Sequence, residues 1–204
     1  MTLPSVPRDL DFWDLAYRDG DHLEHWEPLE VPTELVEALQ SGLVRRGQTA
    51  LDIGCGAGSE AVFLAARGIA VIGVDASPVA LELARRRAEE ANVVVDWRLG
   101  DAVHLPLRDN SVDFALDRGC FHIISRRRRR QYAREAARVL RPGGAMLLRG
   151  ARDDDEEAGL IGFDRRELER LFVSRGFECG PLSPMTIRAR SGDLAAVKVV
   201  LTLL

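Results

Sequence analysis

Cysteine is scarce in this chain: Cys55, Cys120 and Cys179 are the only three in 204 residues. An odd number at wide spacing offers neither a disulfide framework nor a set of metal ligands, which implies reduced thiols and no bound metal. Nowhere does an apolar run approach the roughly 18 residues of a membrane span. Met1-Thr2-Leu3-Pro4-Ser5 is not a basic segment followed by an apolar one, so the expectation is a soluble, cytoplasmic protein with no membrane partner. Positive charge is not in excess either, because 28 Lys and Arg against 32 Asp and Glu leave a net charge of −4. That balance argues against DNA as a partner and leaves RNA only a local basic patch. Internal repeats, low-complexity tracts and an appended domain are also missing. What remains, at 46% hydrophobic residues, is enough for one sizeable core and short for two, so residues 1–204 are expected to form a single domain.

The densest signal runs from Ala50 to Leu64. The apolar run Ala50-Leu51-Asp52-Ile53 reads as a buried strand, Gly54-Cys55-Gly56-Ala57-Gly58 as a loop, and Ala61, Phe63, Leu64 and Ala65 as a helix packed back on the sheet. Glycine permits positive φ and lets main-chain N–H groups approach a ligand, and the helix start adds unpaired donors. Loops of this kind hold nucleotides. The dinucleotide fingerprint is G-x-G-x-x-G with an acidic residue about twenty positions later. Here the glycines alternate, Ser59 follows, and Asp52 precedes the loop. A carboxylate so placed repels a pyrophosphate and attracts an ammonium or sulfonium group. A second acid, Asp75, closes the next apolar strand, Val71-Ile72-Gly73-Val74-Asp75, where it could accept both hydroxyls of a ribose.

Together these residues resemble the S-adenosylmethionine site of class I methyltransferases, a likeness extending over roughly residues 47–150. It implies an α/β fold with a doubly wound, seven-stranded, mostly parallel sheet and an antiparallel last strand. It also implies a helical lid over residues 1–46, a cofactor-binding core over 47–150, and a C-terminal helix with strands over 151–204. The cofactor contacts implied are Trp26, Asp52, Gly54, Cys55, Gly56, Gly58, Asp75, Ala76, Asp101, Ala102, Asp117 and Arg118. In the family, the aspartate at position 101 faces the adenine amino group and Ala102 gives its backbone N–H to the ring. The segment Trp13, Tyr17, Gly20 and Trp26 is similar to the small-molecule methyltransferases of the thiopurine and thiol type. In those an aromatic residue covers the cofactor. The alternative for both tryptophans is to plug the open end of the core.

Elsewhere the chain reads as helices and strands in alternation. Asp9 to Tyr17 and Pro32 to Gln40 have helical spacing, joined by a polar connection through Asp21 to Pro28. Ser77-Pro78 starts a helix that Asn92 closes, and Val93 to Leu99 is a strand. The strand Val112 to Asp117 runs into Arg118-Gly119-Cys120-Phe121-His122. This run resembles one branch of small-molecule enzymes and departs from the Asn/Asp-Pro-Pro-Tyr motif of those that methylate DNA bases or protein glutamine. Ser125 to Leu140 reads as a helix whose five consecutive arginines, Arg126 to Arg130, point all around it, as a solvated start rather than a basic face. Arg141-Pro142-Gly143-Gly144 stops it before the strand Ala145 to Gly150. Asp153 to Glu157 reads as a mobile, solvated loop, without the ligand spacing of a calcium site. Asp164 caps a helix to Gly176 with Leu168, Leu171, Phe172 and Val173 inward. Phe177 to Ile187 and Ala195 to Leu204 then read as two strands.

The resemblance implies methyl transfer to a small-molecule thiol, hydroxyl or amine by in-line displacement. A fold relative that binds the cofactor without transfer, an RNA methyltransferase and an NAD-dependent oxidoreductase are the alternatives. Acceptor contacts are expected from His25, Cys120, Phe121 and His122. His122 is the candidate base on its ordinary pKa, and the alternative for it is a structural histidine. Trp26 and His122 are expected on opposite sides of the acceptor.

Overall fold

The computed structural model describes residues 10–30 and 33–204. The expected helix starts at Asp9 and Pro32, and the stretch Met1 to Ser5, lie outside them.

Three short helices precede the sheet: α1 (Leu10–Asp19), α2 (Asp21–His25) and α3 (Thr33–Gln40). The middle one forms within the stretch expected as a connection. Strand β1 (Thr49–Ile53), α4 (Ser59–Ala65), β2 (Ala70–Asp75), α5 (Pro78–Glu90), β3 (Asp96–Leu99) and β4 (Val112–Arg118) follow in alternation. Ser77 caps α5 by accepting the Ala80 N–H at 3.1 Å, and Pro78 fills the first helical position, where no N–H is needed. Asn92 ends the segment with φ +52°. A 3₁₀ turn (Phe121–Ile123), α6 (Arg129–Val139), β5 (Leu140–Ala151) and α7 (Arg165–Phe172) come next, followed by β6 (Phe177–Cys179), β7 (Ser183–Ala189) and β8 (Gly192–Leu203).

The sheet runs β3-β2-β1-β4-β5-β8-β6, with β7 also paired to β8. Strands β1 to β5 are mutually parallel, and β8 is antiparallel to β5, β6 and β7. Among the described residues eight strands stand where seven were expected, because the run Phe177 to Ile187 breaks at Gly180-Pro181. The Gly180 N–H still follows the β6–β8 register by donating to the Val200 carbonyl at 2.9 Å, whereas Pro181 has no N–H for the ladder.

Alternation along the strands sorts side chains onto two covered faces. Ala50, Phe114, Leu116, Ala145 and Leu147 pack with Leu35, Ala61 and Leu64 on one face. Leu51, Ala115, Met146 and Leu148 pack with Phe121, Tyr132 and Phe172 on the other. Strand order reverses between β1 and β4, and the C-terminal ends of those strands form the crevice where open α/β sheets hold ligands.

Three sequence expectations change. Val173 is half exposed, at 50%, because α7 ends at Phe172 and a 3₁₀ turn carries the next residues outward. The acidic stretch is not a free loop: Asp155 and Leu160 exchange backbone hydrogen bonds at 2.9 and 2.8 Å, and Asp154 accepts the Gly162 N–H and the Arg126 guanidinium. Nor is the arginine run merely solvated. Arg129 is fully buried, donating to Glu167 at 2.8 Å and to the carbonyls of Ile124, Ile161 and Gly162, with its guanidinium 4.4 Å from the Phe121 ring centre. Arg126 pairs with Asp154 and Glu167, and Arg128 with Asp101.

Removing the guanidinium of Arg129 takes a buried partner from Glu167, which keeps the more exposed Arg126, and leaves the carbonyls of Ile124, Ile161 and Gly162 without their donor, so Arg129→Gln should cost on the order of 3 kcal/mol. The exposed Arg127→Gln should stay within about 0.5 kcal/mol of wild type. Urea denaturation reads both, and a wild-type midpoint for Arg129→Gln would contradict this account of the run.

Candidate active site

The two faces of the sheet decide what reaches the crevice. Asp52 lies two residues beyond Ala50, Arg118 two beyond Leu116, and Arg149 two beyond Leu147, so all three extend the same face beyond its apolar layer. Asp52 is in register with Leu116, and Arg118 with Arg149. Helix α4, covering that face, contributes Glu60. Arg149 is fully buried and grips both Glu60 oxygens, at 2.9 and 2.5 Å, while Arg118 Nε stands 3.4 Å from the same carboxylate. Burial opposes the ionised form of Glu60, but Arg149 and Arg118 together hold its pKa below the usual carboxylate value. The Arg149 Nε is buried with no hydrogen-bond partner.

Asp52 is placed differently. It is 5% exposed, and among the described residues its carboxylate, unlike its backbone, has no hydrogen-bond partner. Burial pushes its carboxyl well above the ordinary range, the neighbouring Glu60 charge raises it further, and Arg149 opposes the shift. A buried carboxylate without a donor is costly to ionise unless a cation arrives.

The cleft above it is lined by Tyr17, Trp26, Glu27, Pro28, Asp52, the Gly54 to Ala57 loop, Ser59, Glu60 and Arg118, and holds about 410 Å³ of open space including its mouth. The loop glycines have positive φ, +68° at Gly54 and +53° at Gly56, but they make room for protein rather than only for ligand. A Cβ on Gly54 would lie 2.6 Å from the Cys120 Cβ, and one on Gly56 would lie 2.4 Å from the Tyr17 hydroxyl. The Tyr17 hydroxyl also accepts the Trp26 indole N–H at 3.0 Å, and Trp26 packs edge-on against Trp13 and Tyr17. Trp13 and Trp26 are therefore neighbours in one aromatic lid.

Residues 50–144 match the family model described as methyltransferase domain. The chain is 35% identical over 178 residues to methyltransferase GfsG of Streptomyces halstedii, covering 75% of this chain and 63% of that protein. It is also 35% identical over 147 residues to 27-O-demethylrifamycin SV methyltransferase of Amycolatopsis mediterranei, covering 68% of this chain and 53% of the relative. The chain thus spans about half to two thirds of the length of these curated relatives. Among solved structures, the protein of "Conversion of a Disulfide Bond into a Thioacetal Group during Echinomycin Biosynthesis" superposes with TM-score 0.80 at 23% identity, over 95% of this chain and 92% of that one. The [4+2]-cyclase SpnF superposes with TM-score 0.76 at 19% identity, over 100% and 97%. At that identity the two structures bear on the fold alone.

Residues 50–144 form a methyltransferase domain. The narrower likeness to the thiopurine and thiol type rests on Trp13, Tyr17, Gly20 and Trp26 alone.

Of the residues expected to form the methyltransferase site, the cleft brings together Trp26, Asp52, Gly54, Cys55, Gly56 and Arg118. Gly58 caps the start of α4 just beyond. Asp75 lies beside the loop, its carboxylate accepting the N–H groups of Gly56 at 2.8 Å and Ser77 at 2.9 Å, and half-buried Ala76 follows it. At the end of β3, Asp101 accepts the Val103 N–H at 3.1 Å and pairs with Arg128, beside half-buried Ala102. His25 stacks on Trp26, 6.3 Å between ring centres.

Others fall elsewhere. Asp117 cannot share the cleft with Arg118, because adjacent strand residues face opposite ways. It is fully buried, accepting the N–H groups of Cys120 and Phe121 and the Tyr132 hydroxyl at 2.5 Å, so it secures the turn after β4. Phe121 is fully buried against Tyr132, Phe163 and Phe172 rather than in an acceptor pocket. Cys120 packs on Gly54, and burial, with Asp117 adding to it, holds its thiol well above the usual value. His122 is buried, and its Nδ1 accepts the Ala151 N–H at 2.8 Å. With that lone pair engaged, a neutral imidazole carries its proton on Nε2 and has no free acceptor nitrogen. The geometry does not fit the expected base; it fits a histidine tying the turn after β4 to β5. Sequence reasoning missed Glu60 and Arg149. Their signal was a charge on the inner side of an apolar helix and a charge inside an apolar strand.

Burial raises the Asp117 pKa to about 6, with the Tyr132 and backbone hydrogen bonds opposing. A raised carboxyl favours the folded state below its unfolded pKa, and that contribution is lost as pH rises through about 6. Relative to Asp117→Asn, wild type should therefore lose about 3 kcal/mol between pH ~4 and pH ~7. Denaturant titration of both proteins at the two pH values measures this, and a constant difference would contradict the assignment.

Proposed function

We propose that this chain transfers the methyl group of S-adenosylmethionine to a small-molecule acceptor. The observation that carries the reading is the Asp52 carboxylate, which lines the cleft beneath the glycine loop and has no hydrogen-bond donor among the described residues. A pyrophosphate-bearing cofactor would meet repulsion there, whereas an amino acid ammonium beside a sulfonium supplies the missing counterion. The donor set fits such a ligand: Asp52 for the cation, the Gly54 to Gly58 backbone for the loop-facing part, Asp75 for the ribose and Asp101 with Ala102 for the adenine.

When bound, S-adenosylmethionine supplies an activated methyl on a sulfonium. The work left to the protein is positioning, which contributes ~7–11 kcal/mol to such displacements. Trp26 shields the cleft from water and offers an aromatic face to positive charge, worth roughly 0.5–2 kcal/mol. The lining carboxylates of Glu27 and Glu60 are each in ion pairs, with Arg87 at 2.8 Å and Arg149 at 2.5 Å. Neither is free to take a proton, so proximity does most of the work and the acceptor is one that needs little help from a base. A small acceptor is supported by a relative that acts, by name, on a rifamycin, and by the ion pairs that occupy Arg126, Arg128 and Arg129 within the run that could otherwise have met RNA.

Isothermal titration with S-adenosylhomocysteine, followed by transfer from labelled S-adenosylmethionine to candidate thiols, hydroxyls and amines, tests the reading. Asp52→Asn should weaken cofactor binding about tenfold or more, the loss of a charged partner. No binding by wild type, or wild-type affinity in the variant, would contradict it. Binding without any transfer would favour the fold-relative alternative.

A further inference from the structure

Arg118 sits where a cofactor contact is expected, yet two of its three nitrogens face protein groups. A terminal nitrogen donates to the Trp26 carbonyl on the lid, and Nε faces Glu60 at 3.4 Å beneath the cleft. The side chain is largely buried between these two points. Glu60 in turn is fixed by Arg149 from β5, so the bridge is anchored in the sheet itself.

We propose that Arg118 is a positioning residue: it latches the Trp26 end of the lid to the buried Glu60–Arg149 pair, and so sets how long a ligand stays in the cleft. This deepens the reading of the cleft as the cofactor site. Three arguments support it. Other ties of the lid run to elements other than β4 and β5: Asp14 with Ser77, the Glu24 carbonyl with the Ser191 N–H, and Glu27 with Ser59 and Arg87. Arg118 joins the lid to the layer holding Asp52. The bridge also needs a planar fork with divergent N–H groups, which arginine has and lysine lacks. And a guanidinium offered directly to a ligand carrying an ammonium and a sulfonium would oppose its charge, whereas one drawn toward Glu60 opposes it less.

The test combines hydrogen exchange with stopped-flow release of S-adenosylhomocysteine, for wild type and Arg118→Lys. Amides of residues 21–28 should exchange faster in the ligand-free variant while those of β1 stay as protected as in wild type. Ligand release should speed up by about tenfold or more, as expected on losing a charge-assisted hydrogen bond, with little change in the association rate. If Arg118→Lys does not fold, Arg118→Gln takes its place. Faster release with unchanged lid exchange in the ligand-free variant would overturn the latch and make Arg118 a direct ligand contact, and no change in either would overturn it as well. Should wild type fail to bind S-adenosylhomocysteine, the cofactor reading falls, while exchange in the ligand-free proteins still decides the latch.

Discussion

The structure depends on how charge is accommodated where one face of the sheet runs out of apolar partners. Beyond the layer of Ala50, Leu116 and Leu147, the same period of two delivers Asp52, Arg118 and Arg149 to the crevice, and α4 adds Glu60. Four charges in low dielectric persist only if they compensate each other. Glu60 and Arg149 do so with two hydrogen bonds, and Arg118 leans on the same carboxylate. Both arginines therefore crowd on Glu60, and Asp52 feels them only at a distance, with burial outweighing their pull. A carboxylate so placed favours a cationic ligand, and the low polarity of the site makes that cation's contribution larger than it would be in water.

The lid follows from the same arrangement. Tyr17 reaches the loop because Gly56 has no side chain to exclude it, and its hydroxyl then receives the Trp26 indole. Burial pushes the Tyr17 phenol well above its usual pKa, with the nearby Asp75 charge adding to the effect, so it stays a neutral hydrogen-bonding group. The aromatic cover therefore packs on the glycine loop through Tyr17 and meets the strand layer through the Arg118 guanidinium, with the Asp52 carboxyl in the same cleft.

Much of this was legible in the residues, and the failures have physical causes. The strand, loop and helix from Ala50 to Leu64 were readable because apolar periodicity and alternating glycines agree. Asp52 stood out as a charge in an apolar run. The same logic applied to Arg149 in Ala145-Met146-Leu147-Leu148-Arg149-Gly150 would have singled it out too. Asp117 and Arg118 could not both face a ligand, since alternation alone separates them, and assigning both to the cofactor overlooked that. Phe121 and His122 were drawn into the site by closeness in sequence to a strand end, whereas the 3₁₀ turn points them at the core and at β5. What no local pattern revealed is long-range pairing. Arg129 meets Glu167 and Arg118 meets the Trp26 carbonyl across stretches whose intervening residues say nothing of the contact. The extra strand at the C-terminus came from one proline interrupting a run that otherwise alternates correctly.

The central claim is that the Asp52 carboxylate receives the amino acid ammonium of the ligand. Calorimetry of S-adenosylhomocysteine and of its analogue lacking the amino group, each with wild type and Asp52→Asn, isolates that pairing. The account predicts that losing the ammonium weakens binding to wild type by about tenfold or more and to Asp52→Asn by little. An equal loss in both proteins would contradict it.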